Sequence, residues 1–125
     1  MTDVQIAVMK VRDILLVTMP ADPDDLTVTS LQDQVLQSMG KFNARGLVLD
    51  ISAVESLDSF FARTVVETAR MVGLMGGRTV LTGMHPSVAI TATQLGFTLG
   101  NVITALDVDR ALDILADTKR MPGKK

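Results

Sequence analysis

The chain has 125 residues, 47% of them hydrophobic, and a formal net charge of −2 at pH 7. This composition predicts one domain with a hydrophobic core and argues against nucleic-acid binding through a basic surface. The sequence has no cysteine, which excludes disulfides, thiol catalysis and cysteine-ligated zinc. No apolar stretch reaches the roughly 18 residues that a membrane span needs, and the first residues lack the pattern of a signal peptide. We therefore expect a cytoplasmic protein that does not contact a membrane.

Two short apolar runs open the chain. The first covers residues 4–9, the second covers residues 14–19, and a turn is expected between them over residues 10–13. Runs that follow each other so closely predict an antiparallel β-hairpin.

A helix is expected after this hairpin. Pro23 suits a first helical turn, and nearby carboxylates favour the positive end of the helix dipole; they are Asp22, Asp24 and Asp25. Gly40 is the expected stop signal. The residues of the buried face recur at helical spacing; they are Val28, Leu31, Val35 and Met39, and Phe42 is expected to continue this stripe. We attribute the aspartates to the helix start and not to a metal site, because the sharp Gly turn and late Glu of metal-binding loops are missing.

The middle of the chain contains the candidate site. Residues 47–51 are an apolar run broken by one aspartate, which predicts a strand buried on both faces. A polar loop is expected over residues 52–58, and a helix over residues 59–75. A hydroxyl at the head of a helix, just beyond a buried strand, lies where parallel α/β proteins usually keep their functional site. Ser59 has this position.

Ser59 heads the polar stripe of its helix and should face water. At about 100° per residue, the stripe falls within an arc of about 80°; it consists of Ser59, Arg63, Glu67 and Arg70. The i,i+4 pairs along it are expected to stabilise the helix by roughly 0.2–0.5 kcal/mol each. The opposite side carries Phe61, Val65, Thr68 and Val72.

The polar stripe is narrower than that of most surface helices in monomers, and Phe60 lies beside it. We therefore expect another chain to cover this surface. Its candidate contacts are Asp58, Phe60, Arg63, Glu67 and Arg70.

The last third of the chain continues the alternation of strands and helices. Gly, Pro and Asp supply the boundary signals. The expected features are a helix end at Gly76-Gly77, a strand over 78–82, a helix from Pro86 to Leu95 stopped at Gly96, a strand over 102–106 and a helix capped by Asp107.

Strands that alternate with helices predict an α/β fold, with a mixed, mostly parallel β-sheet and helices packed against it. The initial hairpin makes the sheet mixed. We expect a single domain over residues 1–120 and a disordered, solvated tail over residues 121–125.

Catalytic motifs are missing from the sequence. Asp50 suggests the phosphoacceptor of response-regulator receivers, but the acidic groups that would hold Mg²⁺ and the required later Lys are not at the matching positions. There is no Gly-rich phosphate loop and no nucleophile elbow. The one histidine, His85, precedes a proline in an expected turn and has no catalytic partner in view. We expect a protein that is not an enzyme and that binds no cofactor and no metal.

Ser59 has two readings from the residues alone. It can be an ordinary first-turn residue, with Asp58 as the helix cap. Alternatively, its phosphorylation would place about −1.5 to −2 charges at a helix N-terminus, where amides favour a phosphate. Arg63 could reach that phosphate and Asp58 would repel it. A partner packed over Phe60 and the polar stripe would have to desolvate the new charge, so we expect release of the partner. Alternative acceptors are Ser52, Ser56 and Thr82.

The run LVLDISAVESLDS, residues 47–59, resembles the signature of STAS domains, the fold of bacterial anti-sigma-factor antagonists. Phe60 and Phe61 depart from simple antagonists of the RsbV or SpoIIAA kind, in which small residues follow the phosphorylatable serine. They favour the single-domain stressosome scaffolds of the RsbS type. Further segments that resemble this type are residues 58–63, 80–91, 94–97 and 104–107.

The resemblance implies a set of partners. It implies self-association and assembly with RsbR-type paralogues into a large cytoplasmic particle. It also implies sequestration of an RsbT-type serine kinase, which phosphorylates the scaffold at Ser59 and is thereby released, and resetting by an RsbX-type phosphatase. Two other functions remain open: a simple antagonist that binds an anti-sigma kinase one-to-one, and a STAS module that senses a nucleotide.

Overall fold

The computed structural model describes residues 6–95 and 102–120. Within these ranges the strands and helices follow the expected order. They are β1 (Ala7–Val11), β2 (Ile14–Thr18), α1 (Asp25–Phe42), β3 (Gly46–Asp50), α2 (Ser59–Leu74), β4 (Arg78–Thr82), α3 (Pro86–Gln94), β5 (Ile103–Ala105) and α4 (Val108–Arg120).

The strands form one sheet in the order β1-β2-β3-β4-β5. β1 is antiparallel to β2, whereas the neighbouring pairs from β2 to β5 are parallel. The expected mixed, mostly parallel α/β sheet is therefore confirmed. Ile14, Gly46 and Arg78 are register partners, so the amino ends of β2, β3 and β4 lie at one edge of the sheet. Their carboxyl ends lie at the opposite edge.

The hairpin at the start of the sheet is tighter than expected. Lys10 pairs with Leu15 and Val11 pairs with Ile14, so the turn consists of Arg12 and the residue after it, and the expected turn over residues 10–13 was too long. Arg12 has φ 58°, a left-handed conformation that non-glycine residues seldom adopt. Residues 4 and 5 of the expected first strand lie outside the described ranges.

Helix α1 starts and ends at other residues than the sequence signals indicated. Asp24 is the N-cap and accepts a 2.8 Å hydrogen bond from the Thr27 amide, so Pro23 precedes the cap instead of lying in the first turn. The prediction of a stop at Gly40 was wrong, since the helix continues to Phe42. It ends where Asn43 adopts φ 55° and donates its amide to the Met39 carbonyl. Asn tolerates this left-handed capping conformation better than most residues.

The sheet has a hydrophobic core on each face. Because side chains alternate along a strand, Leu47 and Leu49 pack on the side of α1, α2 and α3, and Val48 packs on the side of α4. Burial of each such side chain contributes roughly 1.5–3 kcal/mol. On the α4 face the buried residues are Ile14, Val48, Val80, Ala111 and Leu115.

The second half of the chain largely matches the expected boundaries. β4 and the start of α3 at Pro86 are as expected, and β5 is shorter than the range 102–106. Asp107 caps α4, as expected, by accepting a 2.9 Å hydrogen bond from the Arg110 amide. The expected stop at Gly96 and the expected tail over residues 121–125 lie outside the described residues. Among the described helices, none has the length and apolar character needed to cross a membrane.

Candidate functional site

The loop between β3 and α2 carries the candidate site at the carboxyl edge of the sheet. Its buried residues Ile51, Val54 and Leu57 anchor it to the core. The Ile51 amide donates to the Thr82 carbonyl at 2.9 Å, and the Val54 amide donates to the Ile51 carbonyl at 3.0 Å. These contacts fix the path of the chain as it enters α2.

Ser59 is the first residue of α2 and is exposed, as the sequence predicts. The Asp58 carboxylate caps the helix by accepting a 2.8 Å hydrogen bond from the Phe61 amide. Within the described part of the chain, the Ser59 hydroxyl has no hydrogen-bond partner. Because Asp58 serves as the cap, the Ser59 hydroxyl remains available to another molecule.

The polar stripe on α2 is as predicted. Ser59, Arg63, Glu67 and Arg70 are exposed, and Phe60 is half-buried against the core. Among the described residues, Arg63 and Glu67 form no ion pair, so the expected i,i+4 support has no direct contact behind it for this charged pair. Exposed pairs gain little energy from contact and lose side-chain entropy. The side facing the core is buried at Phe61, Val65, Thr68 and Val72.

The turn between β4 and α3 packs directly on the β3–α2 loop. The His85 Nε2 atom forms a hydrogen bond with the Ser52 carbonyl oxygen. Gly83 has φ +81°, and a Cβ atom placed on it would lie 2.7 Å from the Ser52 Cβ. The sequence correctly places His85 in a loop but carries no signal for its contact with Ser52. The two residues are far apart in sequence and meet only because β3 and β4 are neighbours in the sheet.

The alternative acceptors differ in their accessibility. Ser52 and Ser56 are exposed, whereas Thr82 is fully buried and, among the described residues, its hydroxyl oxygen has no hydrogen-bond partner. A kinase cannot reach Thr82 without local unfolding. Of the alternative acceptors, Ser52 and Ser56 are therefore accessible, but unlike Ser59 neither of them lies at the start of a helix.

Charges of both signs lie close to Ser59. The helix dipole places partial positive charge at the start of α2, while the Asp58 carboxylate lies beside it and the exposed Glu55 belongs to the same loop. The described residues contain no group of three or more His, Cys, Asp or Glu side chains that could hold a metal ion. An added charge on Ser59 would thus meet both attraction from the helix and repulsion from Asp58.

The comparisons with known proteins agree with this architecture. The family model of the STAS domain matches residues 5–111. The chain is similar to a Moorella thermoacetica RsbS structure that carries a serine-to-glutamate substitution, with 36% identity and a TM-score of 0.83 over 94% of this chain and 99% of that chain. It is also similar to a chain from the stressosome, described as a signal integration and transduction hub, with 37% identity and a TM-score of 0.79 over 92% of this chain and 100% of that chain.

A curated relative extends this similarity. The RsbT co-antagonist protein RsbRB of Bacillus subtilis strain 168 is 28% identical over 102 residues, which are 82% of this chain and 37% of that protein. The chain therefore spans little more than a third of the length of this relative.

Proposed function

We propose, since the chain belongs to the STAS domain family, that it is a non-enzymatic stressosome scaffold that holds a serine kinase of the RsbT type and releases it when Ser59 is phosphorylated. The observation that carries the proposal is the exposed Ser59 hydroxyl at the first position of α2, with Asp58 serving as the cap. An RsbX-type phosphatase would remove the phosphate and restore binding.

The geometry supports a switch at this residue. A phosphoserine carries about −1.5 to −2 charges and three acceptor oxygens. At Ser59 it lies at the positive end of α2, where a phosphate is favoured, and Arg63 stands one turn along the same exposed stripe. The free scaffold therefore accommodates the phosphate.

A docked kinase does not accommodate it equally well. The surface that the kinase would cover contains the half-buried Phe60 and the exposed Arg63, Glu67 and Arg70. Docking there would remove water from the phosphate and bring it against the Asp58 carboxylate. A buried charge without a partner is costly, so phosphorylation weakens the complex while the folded scaffold survives.

The comparisons support the assembly. Similarity to RsbS and to a stressosome chain extends over most of the sequence, and the curated relative is an RsbT co-antagonist of the RsbR type. We therefore include RsbR-type paralogues and further copies of this chain among the partners.

The direct test is phosphosite mapping by mass spectrometry after incubation with an RsbT-type kinase and ATP. We expect the label on Ser59 and its loss in Ser59→Ala. In a binding assay, Ser59→Asp should weaken the kinase complex by at least about tenfold, because an added charge at an interface costs more than 1.4 kcal/mol. Ser56→Asp is the matched control, since Ser56 is exposed in the same loop, and should leave the affinity near that of the unsubstituted chain.

Three results would overturn the switch at Ser59: a label on another side chain, equal affinities of the Ser59→Ala and Ser59→Asp variants, or equal weakening by Ser56→Asp. Size-exclusion chromatography with an RsbR-type paralogue separates the scaffold from a one-to-one antagonist. A particle far larger than a complex of two chains supports the scaffold, whereas a one-to-one complex overturns it.

A further inference from the structure

The sheet has an open edge at β1 in the part of the chain that the structure describes. β1 is the first strand in the order β1-β2-β3-β4-β5, and the strand paired with it is β2. The free side of an edge strand presents amides and carbonyls that can pair with a further strand. β1 has five residues, whereas β5 at the other edge has three. Of the two edges, β1 therefore offers the longer row of backbone groups.

The hairpin determines which backbone groups of β1 face the open edge. Val11 and Ile14 are register partners on either side of a two-residue turn, and such a turn makes them a hydrogen-bonded pair. Hydrogen-bonded and non-hydrogen-bonded pairs alternate along an antiparallel ladder. The amide and carbonyl of Met9 therefore point towards β2, whereas those of Val8 and Lys10 point away from it.

The side chain of Met9 lies on the face of the sheet that α4 covers only in part. Met9 pairs with Leu16, and Leu16 pairs with Val48, which packs on the α4 side. Because α4 packs on β3, β4 and β5, Met9 stays 60% exposed. It is the most exposed large apolar side chain on the described strands. The open edge thus combines outward backbone groups with an exposed apolar side chain.

We propose that β1 pairs with β1 of a second copy of this chain, antiparallel and about a two-fold axis at Met9. The second copy as partner rests on the proposed function, and the pairing specifies the surface through which the copies associate. Side chains directly opposite each other in a sheet point to the same face. A strand therefore pairs antiparallel with its own copy when one residue lies opposite itself, as an interface with two-fold symmetry requires.

A centre at Met9 uses the outward backbone groups completely. Met9 is the middle residue of β1, so Val8 of each copy lies opposite Lys10 of the other. The amides and carbonyls of these two residues then form four hydrogen bonds across the axis. A centre at Val8 or Lys10 would pair only three of the five strand residues and form two such bonds.

The side chains fit the same register. Met9 meets Met9 of the second copy as a non-hydrogen-bonded pair, in which side chains lie closest, so the two exposed apolar side chains cover each other. Lys10 lies opposite the half-buried Val8 and not opposite another Lys10. Its stem covers Val8 while its ammonium group stays in water. The lysine that would otherwise protect an edge strand therefore does not oppose this pairing.

The pairing leaves the proposed phosphorylation site accessible. β2 lies between β1 and β3, the strand that leads into the loop before Ser59. The axis is perpendicular to the sheet, so the pair forms one continuous sheet and does not cover the exposed side of α2. Both copies therefore present Ser59 to a kinase.

The first test is sedimentation equilibrium of the full chain without kinase or paralogue. We expect monomer at about 1 µM and reversible dimer at about 500 µM, because two five-residue strands bury less than the roughly 1,200 Å² of a standard interface. Met9→Lys should weaken dimerisation by at least about tenfold, since it places two ammonium groups opposite each other. Leu74→Lys is the matched control, because it adds the same charge at an 85% exposed position on α2. It should dimerise like the unsubstituted chain.

The second test reports the register. The chain has no cysteine, so a single introduced cysteine can form a disulfide only between copies. In a non-hydrogen-bonded pair the Cα atoms lie about 4.5 Å apart, which a disulfide can span. Met9→Cys should therefore give a disulfide-linked dimer with oxidised glutathione. Ala7→Cys is the control, exposed on the same face of β1. Its two copies lie about 14 Å apart in this register, beyond the reach of about 7 Å, and should not cross-link.

The pairing is wrong on any of three results. They are a monomer at every concentration, a dimer that Met9→Lys weakens no more than Leu74→Lys does, and equal cross-linking of the Ala7→Cys and Met9→Cys variants. None of them bears on phosphorylation of Ser59, because neither measurement uses the kinase. Conversely, a phosphate label on a residue other than Ser59 would leave the pairing of β1 unaffected.

Discussion

The imidazole of His85 and the main-chain carbonyl of Ser52 are joined by a hydrogen bond. The two residues belong to different crossovers: Ser52 follows β3 and His85 precedes α3. The bond joins the β3–α2 loop, which positions Ser59, to the β4–α3 turn beside it. The neighbouring turn therefore helps to hold the chain where it enters α2.

Removal of the imidazole should loosen this loop. We expect His85→Ala to lower the free energy of unfolding by roughly 0.5–1.5 kcal/mol, the usual net contribution of one hydrogen bond. Amide hydrogen exchange should accelerate across residues 52–58. This measurement is needed because urea denaturation reports global unfolding and not local opening of the loop. The control is Ser87→Ala, an exposed position in the first turn of α3, which should change neither quantity. Unchanged exchange in the His85→Ala variant would show that the loop does not depend on this bond.

Substitutions at two glycines distinguish the cost of backbone strain from the cost of steric contact. Gly76 has φ +91° with no atom within 4 Å of an added Cβ, whereas Gly83 has φ +81° with Ser52 atoms 2.7–2.9 Å from an added Cβ. Gly76→Ala should therefore cost about 1 kcal/mol from strain alone. Gly83→Ala should cost about 2–4 kcal/mol, because overpacking against Ser52 adds to the strain. Chemical denaturation of both variants measures the difference, and equal costs would contradict the close approach of the two loops.

The parts of the site that sequence predicts well are those fixed by local chemistry. Asp58 as cap, Ser59 as the first helical residue and the exposed stripe all follow from helix periodicity and capping preference. The predicted end of α1 was wrong because it relied on the residue type of Gly40 alone. The helix ends at the residue that adopts the left-handed conformation, which is Asn43.

The features that sequence did not predict depend on contacts between distant segments. Ile14, Gly46 and Arg78 each open a strand, but their alignment at one edge requires the strand order and register of the sheet. The bond between His85 and Ser52 likewise joins residues that no local pattern relates. Periodicity predicts the individual strands and helices, whereas contacts between distant segments depend on how those strands and helices pack together.

Two effects of Asp58, its capping hydrogen bond and its negative charge, can be tested separately. Asp58→Ala should lower the free energy of unfolding by about 1 kcal/mol, because the Phe61 amide loses its acceptor. Asp58→Asn retains an equally good cap and should stay within about 0.5 kcal/mol of the unsubstituted chain. The same Asn variant removes the carboxylate beside Ser59, so phosphorylated Asp58→Asn should bind the kinase more tightly than the phosphorylated unsubstituted chain.

Both measurements can contradict this account. If Asp58→Asn destabilises the chain as much as Asp58→Ala does, the carboxylate charge and not the cap geometry stabilises α2. If the phosphorylated Asn variant binds the kinase no better than the phosphorylated unsubstituted chain, repulsion by Asp58 makes no contribution to release.

The cap of α1 makes stability depend on pH in the acid range. Hydrogen bonds from the Thr27 side chain and then from its amide hold the pKa of the Asp24 carboxyl below its ordinary value of 3.8. The folded state therefore binds this proton less readily than the unfolded state does. The stabilisation is fully present above the unfolded pKa and is lost as the pH falls through the lower, folded pKa.

Asp24→Asn removes this titration while keeping a good cap. We expect its free energy of unfolding, measured by urea denaturation from about pH 7 to about pH 2.5, to fall less steeply in acid than that of the unsubstituted chain. The difference between the two chains should be constant near neutral pH and should change below about pH 4. Gln37→Ala, an exposed change on the same helix without a titrating group, should differ from the unsubstituted chain by a constant amount at every pH. A pH-independent difference for Asp24→Asn would show that the carboxylate of Asp24 is not held by Thr27 in solution.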